Sequence, residues 1–396
     1  MTKAYNKTIL TLNGGSSSIK FGIYKNEETP VQILTGKIER IGLHNVFLTY
    51  NDINIGRENS QPVNAVNIQE AVGILLEWFE KKIEFENLLA IGHRFVHGKE
   101  HTDAQIITDT LLDELQKIIP YDPDHLPGEI ELVNAFRDKF PNLPQVVCFD
   151  TNFHTTLPGV ARMLPIPRRF EDLGIRKYGF HGLSYSYLMS KLINLGEKAA
   201  INGRVILAHL GSGASLAAVL DGRSIDTSMG FTPAGGFMMG TRPGDLDPGL
   251  AAIIMKKESL TAEQFSDLIN HQCGLLGISE TSSDMHDLLE SENSDSRAME
   301  AVNLFCYQVK KWIGSFAVVL EGLDVLVFSG GIGENAPAIR SRICEGLKFM
   351  GIDLDEKLNE KNKTIISSAR SKVTVYVIQT NEEIMIAKTV CRILNL

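Results

Sequence analysis

One local pattern occurs twice in this chain, half a chain length apart. The first copy is Ile9-Leu10-Thr11-Leu12-Asn13-Gly14-Gly15-Ser16-Ser17-Ser18-Ile19-Lys20-Phe21. The second is Val205-Ile206-Leu207-Ala208-His209-Leu210-Gly211-Ser212-Gly213-Ala214-Ser215-Leu216-Ala217. Each is an apolar strand, a turn of Gly and small hydroxyl residues, and a second apolar strand. Ser18 and Ser215 correspond, an offset of 197 in 396 residues. Such a turn presents backbone N–H groups, and Gly has no Cβ to keep an anion away. Two copies in two halves point to a duplicated domain that grips a polyphosphate from both sides. The alternative is two ordinary hairpins, because hairpin turns favour Gly and Ser in any case.

A chain of 396 residues is too long for one core and suggests two domains. Hydrophobic residues at 43% and charged ones at 22% are those of a soluble globular protein. A net charge of −9 argues against a nucleic-acid partner, so any anion site must be local. Cys148, Cys273, Cys306, Cys344 and Cys391 are scattered and form no CxxC pair. That favours the reduced thiols of a cytoplasmic protein over a disulfide framework or a zinc site. The first residues hold no apolar signal segment, and no apolar run reaches the ~18 residues that span a bilayer. No membrane partner is expected.

Residues 8–60 read as strands and turns, with strands at 8–12 and 18–24, then Ile33-Leu34, Val46-Phe47-Leu48 and Ile53-Asn54-Ile55. Ile68, Val72, Leu75, Leu76 and Phe79 carry helical spacing over 68–82. Leu88 to Gly92 reads as a buried strand running into His93-Arg94, and Val146 to Phe149 as another ending at Asp150. Helices are expected at 109–119 and 128–139, giving an α/β order. After a proline-rich stretch and a helix near 183–195 comes the second hairpin. The Gly/Pro/Met-rich stretch from Asp226 to Pro248 is too long for an ordinary linker and too apolar for disorder, which marks a functional loop. Helices at 248–256, 261–271 and 296–320, a strand at 324–328, a helix from Ala336-Pro337, a strand at 373–378 and a helix at 382–394 complete the reading. The polar run 291–296 reads as an exposed linker.

Ser329-Gly330-Gly331-Ile332-Gly333-Glu334-Asn335 follows a strand and precedes a helix. There a Gly-rich turn can bind phosphate with the free N–H groups of the helix start, or serve only as a tight turn. It is neither a GxGxxG fingerprint nor a P-loop. Arg94, His181 and Arg242 stand at strand ends or in Gly-rich loops. A rigidly held arginine suits bidentate contact with carboxylate or phosphate, though any one alone could be a structural ion pair. Three such anchors beside three glycine turns point to phosphoryl transfer. Asp150 and Glu382 are the carboxylates available to Mg²⁺, which needs few protein ligands when phosphate supplies others. Glu382 could equally be a charge favoured by the start of the last helix. His97, His101, His154 and His209 read as structural or supporting, and none shows metal-ligand spacing.

The chain resembles the acetate kinase family, part of the actin-like, Hsp70-like and sugar-kinase ATPase superfamily, from end to end. Leu12 to Phe21, Asp226 to Pro233, Met239-Gly240-Thr241-Arg242, Ser329 to Asn335 and Thr380-Asn381-Glu382-Glu383 carry the resemblance. It implies two α/β domains, each a ribonuclease-H-like sheet, with an interdomain active-site cleft. The first would comprise 1–150 plus 383–396, the second, nucleotide-binding one 151–382. It implies reversible phosphorylation of acetate by ATP to give acetyl phosphate and ADP, with propionate or butyrate as the alternative acceptor. Mg²⁺ is implied as cofactor, with Mn²⁺ as a substitute, and a homodimer as the assembly.

Residue by residue, the resemblance implies that Asn13 and Glu382 help hold Mg²⁺ and that Lys20 lies near the nucleotide phosphates. Arg94 would bind the carboxylate substrate, and Asp150 would be the essential catalytic carboxylate. His181 and Arg242 would stabilise the transferring phosphoryl group. His209, Leu210, Gly211, Ser212 and Gly213, with Asp284, Met285 and His286, and with Gly331, Ile332, Gly333, Glu334 and Asn335, would cradle the nucleotide. Val96, Phe180 and Pro233 would wall an apolar pocket. A small carboxylate is ionised at pH 7 and needs no general base, so direct in-line transfer without a phosphoenzyme is expected. The chain departs from the family pattern at Pro120 to Pro127, where Tyr121 or His125 stands for a substrate-side histidine. It departs again at Leu183 and Tyr185, at Ser212 and at Pro243. A nucleotide-binding scaffold without turnover is disfavoured by the presence of Arg94, Asp150, His181 and Arg242 together.

Overall fold

The computed structural model describes residues 7–15, 18–42, 45–53, 55–82 and 87–396. Ser16 and Ser17 of the first hairpin, and Asn54, lie outside the described residues. The chain divides into Met1–Asn152 with Asn381–Leu396, and Phe153–Thr380.

In the first unit, β1 (Thr8–Gly14), β2 (Ser18–Lys25), β3 (Val31–Glu39), β4 (Val46–Asp52) and β5 (Arg57–Val63) form an antiparallel meander. Then follow α1 (Ile68–Lys82), β6 (Leu88–Phe95), β7 (Gln105–Ile106), α2 (Asp109–Lys117), α3 (Leu126–Lys139) and β8 (Gln145–Phe149). The sheet order is β5-β4-β3-β2-β1-β6-β8-β7, with β6 parallel to both β1 and β8. Every residue of β1 is buried, as befits a central strand, its Thr8, Thr11 and Asn13 included. The polar β5 forms the exposed edge. The apolar face of α1 closes one side, with Phe21 meeting Trp78 and Phe79 at 5.3 and 5.1 Å between ring centres.

The second unit begins with α4 (Gly159–Arg162), α5 (Gly182–Asn194), α6 (Ala199–Asn202), β9 (Arg204–Leu210), β10 (Ala214–Leu220) and β11 (Arg223–Thr227). It continues through α7 (Pro248–Glu258), α8 (Ala262–His271), α9 (Gly274–Ser279), α10 (Met285–Ser291), α11 (Ser296–Val319) and β12 (Val325–Ser329). It ends with α12 (Gly330–Asn335), α13 (Pro337–Cys344), α14 (Glu356–Glu360) and β13 (Thr374–Val377). Its sheet order is β11-β10-β9-β12-β13, antiparallel on one side of β9 and parallel on the other. The central strands β3-β2-β1-β6-β8 of the first unit follow the same order and the same senses. Each unit is therefore a ribonuclease-H-like sheet. The final helix, α15 (Glu382–Leu394), returns to the first unit and lies on β1 and β6. Its approach explains Gly92, where a Cβ would come within 2.4 Å of Ile386.

Three expectations change. Ile53 and Ile55 of the expected strand at 53–55 stand in a turn, with Asn54 outside the described residues: β4 stops at Asp52, and Gly56, at φ +65°, donates its N–H to the Asp52 carbonyl. Ser329 to Asn335 is not an open turn but a strand end followed by one turn of helix, α12. Its first N–H, on Gly330, already donates to the Glu334 carboxylate at 2.8 Å. The run 291–296 is not wholly exposed, because Glu292 is held by both terminal nitrogens of Arg342 at 2.6 and 2.7 Å.

Candidate active site

In the first unit, strand ends bring three polar side chains together. Asn13 ends β1, Arg94 lies near the end of β6, and Asp150 follows β8. The Arg94 Nη2 and Nε both donate to Asp150 Oδ2, at 2.6 and 3.1 Å, and Nη1 reaches Asn13 Oδ1 at 3.4 Å. Asn13 Nδ2 in turn donates to Glu382 Oε2 at 3.0 Å. Glu382 stands there because Asn381 caps α15, accepting from the Ile384 N–H at 2.9 Å. Asp150 is fully buried and Arg94 partly so. Burial alone would lower the arginine's affinity for its proton. The Asp150 and Glu382 charges outweigh this and hold the guanidinium above its ordinary range.

Lys20 sits across the hairpin from Asn13 and bears on Glu383, whose carboxyl is pushed up by burial and by Glu382. Val96, buried just beyond Arg94, donates its N–H to both oxygens of Glu129 on α3, at 3.1 and 3.2 Å. Burial pushes the Glu129 carboxyl well up, against the pull of Arg94. His125 Nδ1 pairs with Asp122 Oδ1 at 2.7 Å, and the Lys99 ammonium lies 4.9 Å over the Tyr121 ring. Among the described residues, no group of three or more His, Cys, Asp or Glu is placed to hold a metal unaided. The donor set here is nonetheless made of hard oxygens, Asn13 Oδ1 and the carboxylates of Asp150 and Glu382. That suits Mg²⁺ carrying phosphate and water as its remaining ligands.

In the second unit, the turn Gly211-Ser212-Gly213 is ringed by the other candidates. A Cβ on Gly213 would lie 3.5 Å from His181 Nε2 and 3.9 Å from Arg242 Nη1. One on Gly211 would lie 3.8 Å from the Gly331 nitrogen and 3.9 Å from His209 Nε2. The His181 and His209 rings stack at 4.3 Å. The Asp226–Pro248 stretch is ordered by its apolar residues, with Phe237, Met238 and Met239 buried. Its backbone is pinned on two sides. Gly240 donates to the Ser212 carbonyl at 2.9 Å. The start of α9 meets the loop carbonyls: Cys273 donates to Thr241, Leu275 to Met239 and Leu276 to Gly240, at 2.8 to 3.0 Å. Only Gly fits at 274, where φ is +64° and a Cβ would lie 2.2 Å from the Met239 oxygen. The loop so held aims Arg242, whose Nη1 donates to the Pro233 carbonyl at 3.0 Å.

Phe180 is buried, and its carbonyl meets His154 Nε2 at 3.1 Å. Asp284 caps α10, accepting from the His286 N–H. Met285 is buried there, while His286 is exposed. Glu334 Oε1 accepts from the Thr380 N–H as well as from Gly330, and Asn335 donates to the Gly331 carbonyl. Leu210 and Gly333 are buried beside this glycine run, with Ile332 next to it in α12. Sequence reasoning gave no role to Glu129, Ser184, Tyr185 or Gly274. The repeated serine at 215 was the one available signal.

The Acetokinase family model matches residues 8–388. The acetate kinase of Rhodopseudomonas palustris is 40% identical over 391 residues, covering 97% of this chain and 98% of that protein. Among solved structures, acetate kinase from Porphyromonas gingivalis superposes with a TM-score of 0.86 at 36% identity, covering 98% of this chain and all of that one. A propionate kinase from Francisella tularensis does so at 0.89 and 36%, covering 97% and 98%.

Proposed function

This chain belongs to the acetokinase family, and from that premise we propose a division of labour by which it phosphorylates acetate with ATP. It is a phosphotransferase with a carboxylate acceptor. The first unit supplies the arginine for the carboxylate, and the second supplies most of the nucleotide contacts. The observation that carries this is the Arg94–Asp150–Asn13–Glu382 chain of contacts, a cation held rigidly at the ends of central strands by a buried carboxylate.

Asp150 takes the Nε–Nη2 edge of the Arg94 guanidinium, and the acceptor carboxylate binds at Nη1, whose contact with Asn13 Oδ1 is a long one of 3.4 Å. That acceptor is already an anion, so no base is needed, and Asp150 serves to orient Arg94. Val96, just beyond Arg94 in the first unit, offers the alkyl group an apolar contact, a role also proposed for Phe180 and Pro233 of the second unit. Lys20 and the groups ringing Gly211–Gly213 and Gly331–Asn335, with Asp284–His286, hold the nucleotide. His181 and Arg242 donate to the equatorial oxygens as charge shifts during direct in-line transfer. Mg²⁺, held by Asn13 and Glu382, offsets phosphate charge when bound.

The test is a coupled assay of ATP, Mg²⁺ and C1–C4 carboxylates with hydroxamate trapping. Acetyl hydroxamate is expected, and no acyl hydroxamate from any acid would overturn the reading. The propionate kinase neighbour makes propionate the second reading. One methylene discriminates by only ~1–3 kcal/mol, so both acids should react, with acetate giving the higher kcat/KM.

We also propose a homodimer. The helices α7 and α8 bury none of their residues within this chain, and Ile253 is 63% exposed. A second copy covering that face should give twice the chain mass in light scattering. A cytoplasmic setting fits the five free thiols, three of which (Cys148, Cys306, Cys344) burial pushes up to about 12 and so makes unreactive. Among the described residues, no helix is long and apolar enough to cross a membrane.

A further inference from the structure

His181 stands at φ +60°, just before α5, and its Nδ1 lies 2.8 Å from Ser215 Oγ. The Tyr185 hydroxyl, one turn along α5, lies 2.5 Å from that same Ser215 oxygen. Tyr185 and Ser215 are fully buried. Three groups thus form a line, from Tyr185 Oη to Ser215 Oγ to His181 Nδ1, and on the far side of the ring Nε2 faces Gly213. The neighbouring histidine is held in the same way: His209 Nδ1 meets Ser184 Oγ at 2.8 Å, with Nε2 facing Gly211. Both rings are tethered at Nδ1 and present Nε2 to the same glycine turn.

The serine hydroxyl has one proton to give and sits between two groups. A phenol is the better acid and the poorer acceptor of the two hydroxyls, so the favoured polarity runs outward from the core. Tyr185 donates to Ser215, Ser215 donates to Nδ1, and the imidazole keeps its proton on Nε2. We propose that Tyr185 and Ser215 are positioning residues that lock His181 as its Nε2–H tautomer, directing a donor at the anion bound over the Gly213 turn. The opposite tautomer would turn a lone pair toward a phosphoryl oxygen and repel it. The stacked His209 ring opposes a second imidazolium charge 4.3 Å away, so the two rings resist being charged together. The inference rests on the kinase reading for what the donor does, but the tautomer itself stands apart from turnover.

The first test needs no variant. Long-range ¹H–¹⁵N spectra of the ¹⁵N-histidine-labelled full chain, with His181 assigned by its loss in His181→Gln, should show a proton-free Nδ1 and a protonated Nε2. A protonated Nδ1 overturns the proposal. In Tyr185→Phe, which keeps the buried ring, the His181 signals should move toward a tautomer mixture. There kcat should fall roughly fivefold, with KM for ATP and acetate within about twofold. Ser215→Ala should give a larger kcat loss, about tenfold, and Ser215→Thr should recover most of it. His181 spectra unchanged in both Tyr185→Phe and Ser215→Ala also overturn the proposal. Were the unaltered chain to phosphorylate no carboxylate, the kinase reading would fall while the spectra still decided the tautomer.

Discussion

Both units end a glycine–serine hairpin beside ionisable side chains, yet they hold those groups by opposite means. In the first unit the partner of the cation is a buried anion: Arg94 is fixed by Asp150, which has no exposed surface. Among the contacts described in the second, the partners are neutral. A carbonyl holds Arg242, and serine hydroxyls hold His181 and His209. A charge fixed by a buried countercharge becomes part of the fold, because removing either partner strands the other in a low-dielectric interior. A group fixed by hydroxyls and carbonyls can be lost while its partners stay uncharged. The same local hairpin therefore supports a cluster that stability depends on in one unit and a cluster that only chemistry depends on in the other.

The sharpest way to break this contrast is to compare Asp150→Ala with Arg242→Ala. Both should lower kcat by about a hundred- to thousandfold, as losses of fixed electrostatic groups do. Asp150→Ala should also cost about 3–5 kcal/mol of unfolding free energy, against under about 1 for Arg242→Ala. Urea titration of the two variants measures it, and equal losses would remove the distinction.

Next in size are two glycines that allow close approach. Gly274→Ala in the second unit puts a Cβ into a backbone oxygen at a positive φ, where neither can give way. It should cost roughly 3 kcal/mol and lower kcat, because the Arg242 loop is what it displaces. Gly92→Ala in the first unit meets only side-chain methyls of Ile386 and Val390, which can shift. About 1–2 kcal/mol is expected, with kcat little changed. A kcat loss confined to Gly92→Ala would show that α15, not the α9-pinned loop, sets the catalytic geometry.

These cases also show what was legible in the sequence. Buried strands β1, β6, β8 and β12 are mostly apolar runs, and α1 carries clean helical spacing, so both sheets could be read in outline. Arg94, Asp150 and Asn13 were visible singly because each stands at the end of such a run. That Arg94 reaches both Asp150 and Asn13 follows from the parallel pairing of β6 with β1 and β8, which no local signal states. Gly274 was illegible because its neighbour, Met239, lies far along the chain. Tyr185 was noticed only as a departure. Its meaning depends on β10 delivering Ser215 to α5. Glu129 was given no role, although its spacing from Leu126, Val133 and Phe136 puts it on the buried face of α3; its partner, the Val96 N–H, lies far along the chain.

A smaller effect tests whether the units share one response to acid. Each has a buried neutral histidine with its pKa lowered to about 4 by burial: His93 on Gln145 in the first, His154 between Ser224 and the Phe180 carbonyl in the second. Unfolded histidine titrates near 6.5, so below that pH the unfolded chain binds more protons than the folded one. The stability these residues contribute is complete above pH 6.5 and is lost as pH falls toward 4. Going from pH 7 to 5 should cost roughly 2 kcal/mol for each. His93→Gln and His154→Gln should each remove about half of that pH dependence in urea titrations. If one variant removed nearly all of it, acid sensitivity would belong to a single unit.

The smallest effect belongs to Glu129, an acid whose burial in the first unit favours its uncharged form. Both carboxyl oxygens face the Val96 N–H, and burial, helped by Asp122 and Asp150, pushes the group up despite Arg94. An uncharged carboxyl and an amide offer Val96 the same carbonyl acceptor. Glu129→Gln should therefore change stability by less than about 1 kcal/mol near pH 5. The sign at higher pH follows from the raised folded pKa. The unfolded glutamate ionises first, so the stability gained from its uncharged burial is lost as pH rises. The glutamine variant has no such loss, and its advantage over the parent should grow from pH 5 to 8. A variant that instead grew weaker with rising pH would mean that Glu129 is ionised in the fold. The first unit would then hold Arg94 between two buried anions rather than against Asp150 alone.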